Sequence, residues 1–165
     1  MTPADALAAD ARQVSEDVAR LCSEQGRSVA AAESLTGGKI SCHLGSAPSS
    51  ATWFRGALVA YASEVKFDVL GVPEGPVVTK ECAAAMAGGV ARLLGADVTV
   101  AVTGVGGPGE EEGHPAGTVW FGLAVDGQVR TELHRFAGEP SDILDATTLH
   151  ALRLLRAGLA ARGRT

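Results

Sequence analysis

The sequence has few cysteines, few aromatic residues and no long uncharged apolar segment. Its three cysteines, Cys22, Cys42 and Cys82, are odd in number and widely spaced, and none belongs to a Cys-x-x-Cys pair. This pattern excludes a disulfide framework and a cysteine zinc site, and it predicts reduced thiols in the core of a cytoplasmic protein. Because no segment reaches the roughly 18 apolar residues of a membrane span, and the N-terminus does not resemble a signal peptide, we expect no membrane partner.

Basic side chains are also in short supply. The chain has 14 Lys and Arg against 19 Asp and Glu, a net charge of −5. Nucleic-acid surfaces depend on clustered Lys and Arg, so we expect no nucleic-acid partner. The one basic concentration predicts a solvated helix face and tail, and it consists of Arg153, Arg156, Arg162 and Arg164.

The length and the hydrophobic periodicity predict one domain over residues 1–165. Strand patterns cover residues 29–33, 54–62, 98–102, 118–125 and 129–136. Helical patterns cover residues 4–25, 36–44, 63–70, 80–94 and 141–161. Residues 103–117 hold too much glycine, proline and charge for regular structure, and they predict a functional loop. The order of elements indicates an α/β fold, a mixed sheet with helices on both faces.

Ser34 lies where the strand 29–33 gives way to Thr36-Gly37-Gly38 and a short helix. A hydroxyl at a strand-to-helix turn is well placed to act as a nucleophile. Glycines let a substrate approach the backbone closely, and N–H groups that open the helix can hold an oxyanion. The alternative interpretation is that Ser34 or Thr36 only caps the helix.

A serine nucleophile needs a base to take its proton. None of the four histidines stands in a context that marks a Ser-His-Asp triad: His43, His114, His134 and His150. Lys66, in a helix that follows the strand containing Tyr61, is the better candidate, because a buried lysine loses its charge readily. The alternative is that Lys66 is an exposed helix lysine and Tyr61 a core aromatic residue.

A third patch, Thr-Gly-Val-Gly-Gly-Pro-Gly at 103–109, follows an apolar strand. Its hydroxyl and backbone donors could hold a phosphate or an amide oxygen. It is not a Walker loop, because it has no Gly-Lys-Ser or Gly-Lys-Thr ending. A glycine-rich loop alone does not specify a ligand.

Four stretches together carry a family resemblance that spans almost the whole chain. They are AESLTGG at 32–38, GALVAY at 56–61 with Lys66 beyond it, TGVGGPG at 103–109 and PAGTVWFG at 115–122. With these motifs in this order, the sequence resembles the CinA carboxy-terminal domain family, the nicotinamide-nucleotide amidases.

The resemblance implies a three-layer α/β/α domain that hydrolyses the carboxamide of nicotinamide mononucleotide to nicotinate mononucleotide and ammonia. It implies a small-molecule nucleotide as substrate, with no metal and no organic cofactor. Ser34 matches the family's nucleophile, Lys66 its base and Tyr61 a neighbouring phenol of the site. The residues expected to bind substrate or hold the oxyanion are Thr36, Gly37, Gly38, Thr103, Gly104 and Gly107.

One departure from the family concerns the phosphate. Where relatives usually supply arginines after Gly138, this chain has Glu139-Pro140-Ser141-Asp142, and acids repel a phosphate. Lys39 or Arg55 could bind the phosphate instead. The alternatives are an amidase for another carboxamide and a catalytically weak binding or interaction domain.

A homo-oligomer is expected from the resemblance and from the apolar hairpin that contains Trp120 and Phe121.

Overall fold

The computed structural model of the protein describes residues 1–161, so Arg162 and Arg164 of the predicted basic tail lie outside the described residues. The strands are β1 (Val29–Glu33), β2 (Phe54–Val59), β3 (Val98–Gly104), β4 (Thr118–Val125) and β5 (Gln128–Arg135). The helices are α1 (Pro3–Gln25), α2 (Lys39–Ser46), α3 (Ser50–Trp53), α4 (Ser63–Leu70), α5 (Lys80–Leu94) and α6 (Pro140–Ala160).

The strands form one mixed sheet in the order β2-β1-β3-β4-β5. β1 pairs in parallel with β2 and β3, while β4 pairs antiparallel with β3 and with β5. The tight turn at Asp126 and Gly127, both with positive φ, joins β4 to β5 as the Asp-Gly signal predicts. The predicted α/β fold with a mixed sheet is therefore confirmed.

Helices cover both faces of the sheet because both faces are apolar. Side chains alternate along β1: Val29 and Ala31 belong to the core beneath α1 and α6, and Ala30 and Ala32 to the core beneath α4 and α5. The residues on the α5 side are small, which lets that helix approach closely. A Cβ added at Gly122 of β4 would lie 2.3 Å from the Ala83 carbonyl oxygen of α5.

The structure differs from the sequence prediction mainly at element ends. α2 begins at Lys39 rather than at residue 36, and β2 ends at Val59 rather than at residue 62. The short helix α3 was not predicted, since a single turn has no periodicity to detect.

Two smaller expectations also change. Cys22 and Cys82 are buried free thiols as predicted, but Cys42 is exposed on α2. Phe121 is fully buried, so it cannot contribute to an interface, and self-association stays a prediction. No helix within residues 1–161 is long and apolar enough to cross a membrane.

Candidate active site

A cleft opens at the edge of the sheet where the parallel strands β1, β2 and β3 end. Segments that follow the carboxyl ends of parallel strands meet at one edge, which is where ligands bind in open α/β sheets. The cleft has a volume of about 200 Å³. It is lined by Ser34, Leu35, Tyr61, Gly104, Gly106, Gly107, Glu111, Pro140 and Leu144.

Glu33, the last residue of β1, organises the turn that carries Ser34. Its side chain is fully buried, and its carboxylate accepts four hydrogen bonds from the start of α2. Oε1 accepts from the N–H groups of Gly38 (3.2 Å) and Ile40 (3.0 Å). Oε2 accepts from the N–H and the hydroxyl of Ser41, each at 2.9 Å. A buried anion therefore occupies the positive end of this helix.

This arrangement excludes the interpretation of Ser34 or Thr36 as the helix cap. The N-cap residue is Gly38, which has no side chain to bond the start of the helix. The Ser34 hydroxyl donates no hydrogen bond within residues 1–161, although Ser34 is only 8% exposed. Glu33 thus leaves the serine hydroxyl free at the cleft.

The same contacts remove two expected oxyanion donors. The N–H of Gly37 donates to the Ser34 carbonyl at 3.1 Å, and the N–H of Gly38 donates to Glu33. Neither glycine lines the cleft. Their positive φ angles, 56° and 109°, show instead that they shape the turn. Four amides near the cleft donate no hydrogen bond within the described residues: those of Leu35, Thr36, Gly106 and Gly107.

Lys66 is a buried amine. The residue is 1% exposed, and its Nζ donates to the carbonyls of Ala60 at 2.6 Å and Tyr61 at 3.3 Å. Within residues 1–161 it forms no salt bridge. Burial lowers the pKa of Lys66 below its ordinary value of 10.5, although Cys82 and the acids Glu111, Glu112 and Glu64 act in the opposite direction.

Ser34 and Lys66 are connected through the paired ends of β1 and β2, although Lys66 itself does not line the cleft. Glu33 lies opposite Val59 in the sheet, and the Ala60 N–H donates to the Glu33 carbonyl at 2.8 Å. The Ala60 carbonyl in turn accepts from Lys66. One residue, Ala60, therefore links the lysine amine to Glu33, which precedes Ser34, although no direct hydrogen bond joins the Lys66 and Ser34 side chains.

The alternative interpretation of Lys66 and Tyr61 is wrong for both residues. Lys66 is buried rather than exposed, and Tyr61 is 71% exposed at the mouth of the cleft rather than in the core. The reason is that β2 ends at Val59, so Tyr61 lies beyond the sheet while the lysine side chain returns to bond the strand end.

The residues predicted in the 103–109 loop separate into two groups. Gly104 and Gly107 line the cleft as expected, whereas Thr103 is 1% exposed and does not line it. The Thr103 hydroxyl donates to the Val77 carbonyl at 2.8 Å, so it braces the segment before α5. Thr36 does not line the cleft either, and its hydroxyl is buried without a partner among the described residues.

Two acids of the long loop were missed by the sequence analysis. Glu111 lines the cleft. Its neighbour Glu112 accepts from the N–H groups of Val77 (2.8 and 3.1 Å) and Val78 (2.8 Å), which anchors the loop to the segment before α5. The run of three glutamates in a long loop is the signal that could have indicated them.

The cleft lacks a cation among the described residues that line it. Arg55 is near the start of β2, so it lies at the amino ends of the parallel strands, whereas Ser34 follows their carboxyl ends. The Arg55 Nε donates to the Leu94 carbonyl. Lys39 pairs with Asp145 at 3.0 Å and does not line the cleft. The structure therefore does not bring either expected phosphate ligand into the cleft.

Comparison with known proteins identifies relatives along most of the chain. The family model described as the CinA C-terminal domain matches residues 11–159. A CinA-like protein of Dictyoglomus turgidum is 39% identical over 150 residues, covering 87% of this chain and 36% of the relative. A CinA-like protein of Mycobacterium sp. (strain JLS) is 41% identical over 157 residues, covering 91% of this chain and 37% of the relative. The chain thus spans about a third of the length of these curated relatives.

Solved structures show the same fold. A competence-damaged protein (CinA) superfamily protein from Klebsiella pneumoniae superposes with a TM-score of 0.87 at 32% identity, covering 92% of this chain and 98% of that one. A second superfamily protein, from Escherichia coli, gives a TM-score of 0.84 at 32% identity, covering 88% of each chain.

Proposed function

The chain belongs to the CinA C-terminal domain family, and from that premise we propose that it is an amidohydrolase that hydrolyses the carboxamide of nicotinamide mononucleotide by a Ser/Lys mechanism. The observation that carries the proposal is the buried amine of Lys66, which has no carboxylate partner within residues 1–161 and bonds the end of β2, the strand paired with the one that leads to Ser34. A lysine that only stabilised the fold would be exposed or ion-paired, because burying an unpaired ammonium is costly.

The hydrogen bonds of Lys66 suit a base. A neutral amine has two N–H hydrogens and one lone pair, and the carbonyls of Ala60 and Tyr61 accept the two hydrogens. The lone pair is then left to accept a proton. Burial lowers the pKa of Lys66, so this amine loses its proton more readily than an exposed lysine, as a general base requires.

In the proposed reaction, the Ser34 oxygen attacks the amide carbon while Lys66 takes the hydroxyl proton. The uncommitted amides of Leu35, Thr36, Gly106 and Gly107 are the candidate donors to the oxyanion. The Lys66 ammonium returns its proton to the leaving nitrogen, and ammonia departs. Water then hydrolyses the acyl-enzyme, and Lys66 moves its proton in the same way.

The dimensions of the cleft support a small carboxamide. Its volume of about 200 Å³ is below the roughly 300–1,000 Å³ typical of pockets that enclose whole drug-sized ligands. We therefore propose that the pyridine ring and carboxamide enter the cleft, beside the Tyr61 phenol, while the ribose and phosphate extend outside it.

The three free thiols are consistent with the cytoplasm as the compartment.

A second candidate, an amidase for a carboxamide without phosphate, is favoured by one observation. The described lining of the cleft holds Glu111 and no cation, and an acid repels a phosphate that comes near it. A catalytically weak binding domain is the third candidate, for which the same lack of cations is the only support.

Ammonia release separates these candidates. Purified protein is incubated with nicotinamide mononucleotide, nicotinamide riboside and nicotinamide, in parallel with the variants Ser34→Ala and Lys66→Met. The matched controls are Ser23→Ala on the exposed face of α1 and Lys80→Ala on α5.

Turnover of the mononucleotide that is lost in the two site variants and kept in both controls supports the first candidate. Turnover of only nicotinamide or nicotinamide riboside, the two amides without phosphate, supports the second. No release from any amide, with no difference between wild type and Ser34→Ala, contradicts the enzyme proposal.

A further inference from the structure

A cluster of metal-ligand side chains lies outside the cleft, on the edge strand β5. Glu132 and His134 are two residues apart on β5, so their side chains point to the same face of the sheet. His150 of α6 packs against that face and completes the cluster. This triad of Glu132, His134 and His150 is three strands away from β1, which leads to Ser34.

The three side chains converge on one point. His134 Nε2 is 2.9 Å from Glu132 Oε1, and His150 Nε2 is hydrogen-bonded to the same oxygen. The two imidazole rings are 4.0 Å apart between centroids. One nitrogen from each histidine and one oxygen from the glutamate lie within 4.8 Å of one another.

Aromatic side chains hold both imidazoles in these orientations. Phe136 stacks on His134 with ring centroids 5.7 Å apart and 13° between the planes. Phe121 meets the His150 ring edge to face at 4.6 Å. An apolar support of this kind fixes ring direction and excludes water from one side of a metal site.

We propose that Glu132, His134 and His150 bind a divalent transition-metal ion of the zinc type, with a fourth coordination position open to water. Two imidazoles and one carboxylate match the ligand preferences of such ions. Bond lengths of about 2.0–2.2 Å in a tetrahedral site separate ligand atoms by about 3.4 Å, so small side-chain rotations from the present contacts would admit the ion.

The side chains are 41%, 36% and 23% exposed for Glu132, His134 and His150, which leaves an entry path from solvent. Bound there, the ion would fasten α6 to the free edge of the sheet. This inference departs from the sequence-based expectation of no metal, and it does not depend on the amidase proposal.

The test uses the full chain without a histidine tag, stripped of metal with a chelator. Zinc is titrated into the protein by calorimetry. As a second measurement of binding, the thermal midpoint of unfolding is compared with and without zinc. A Cys42→Ser background removes the exposed thiol, which could bind zinc adventitiously. The variants are His134→Gln and His150→Gln, and the matched control is His114→Gln in the loop before β4.

We expect one zinc ion per chain, a thermal midpoint that rises with zinc, and no change in either result for His114→Gln. Each variant of the triad should weaken binding by about a hundredfold or more, since loss of outer-shell partners alone costs ten- to a hundredfold. Absence of zinc binding in the micromolar range overturns the proposal. So does binding that both histidine variants leave intact.

If a triad variant unfolds, Glu132→Gln, which keeps an oxygen and the side-chain volume, takes its place. In that variant zinc should no longer raise the thermal midpoint. A midpoint that still rises as in the parent protein contradicts the proposed ligand set.

Discussion

Replacing Glu33 with glutamine should destabilise the protein strongly, because the carboxylate of Glu33 holds the start of α2. The buried carboxylate accepts two hydrogen bonds at each oxygen. A glutamine amide keeps one oxygen and puts an NH₂ group, which cannot accept, in place of the other. Two donors at the start of the helix therefore lose their acceptor and face another donor.

The magnitude follows from the number of bonds lost. Hydrogen bonds to charged groups contribute about 1.5–3 kcal/mol each, so losing two costs about 3–6 kcal/mol. Two effects reduce this cost: the Ser41 hydroxyl can rotate to accept from the new amide, and a neutral amide is cheaper to bury than a carboxylate. We expect a net loss of about 2–4 kcal/mol in the free energy of unfolding, which lowers the thermal midpoint by roughly 4–16 °C in a chain of this size.

Urea denaturation followed by circular dichroism measures this loss, with Ser34→Ala as the matched control. The Ser34 hydroxyl donates no hydrogen bond within the described residues, so its removal should change stability by less than about 0.5 kcal/mol. A Glu33→Gln protein as stable as wild type would refute the role of this carboxylate. A Ser34→Ala protein that loses as much as Glu33→Gln would restore the interpretation of Ser34 as the helix cap.

Three further predictions concern stability. Thr36→Val should stabilise the protein by about 1 kcal/mol in urea denaturation, since the Thr36 hydroxyl is buried without a partner among residues 1–161; a loss would show that the hydroxyl is bonded. Gly104→Ala should cost about 1–3 kcal/mol, because its Cβ would lie 2.4 Å from the Thr118 carbonyl oxygen, whereas Gly109→Ala, with nothing within 4 Å, should be neutral. Burial lowers the pKa of Lys66, so between that lowered value and 10.5 the unfolded chain binds more protons than the folded one. The free energy of unfolding should therefore rise with pH in this window, by up to about 1.4 kcal/mol per unit of pKa lowering, relative to Lys66→Met; parallel pH curves for the two proteins would contradict this.

Local signals in the sequence determine much of the fold. β1 and α5 have the predicted bounds, 29–33 and 80–94, because each is delimited by its own flanking residues. For α5 these are Thr79, whose hydroxyl accepts from the Cys82 N–H, and Gly95, which has a left-handed conformation. Such contacts lie within a few residues of each other, so a pattern along the chain can predict them.

The candidate site depends on contacts between distant segments, and here prediction was less complete. The turn at Ser34 was identified, but the capping role of Glu33 was not, because a carboxylate at a strand end reveals nothing about the helix it will face. The eight residues of α4 are too few to indicate which side is buried, so the burial of Lys66 could not be decided from periodicity. His134 and His150 are likewise brought together only by the packing of α6 against the sheet, where the helix contacts mainly β3 and β4.

Covalent labelling of Ser34 tests the central claim most directly, since it requires no knowledge of the substrate. The protein is incubated with a fluorophosphonate, which reacts with activated serines, and the labelled peptide is identified by mass spectrometry. We predict one label per chain, on Ser34, that forms faster as pH rises and is lost in Lys66→Met but not in Lys80→Ala. Labelling of another serine, no labelling at all, or equal labelling in Lys66→Met would contradict a nucleophile at position 34 activated by the buried lysine.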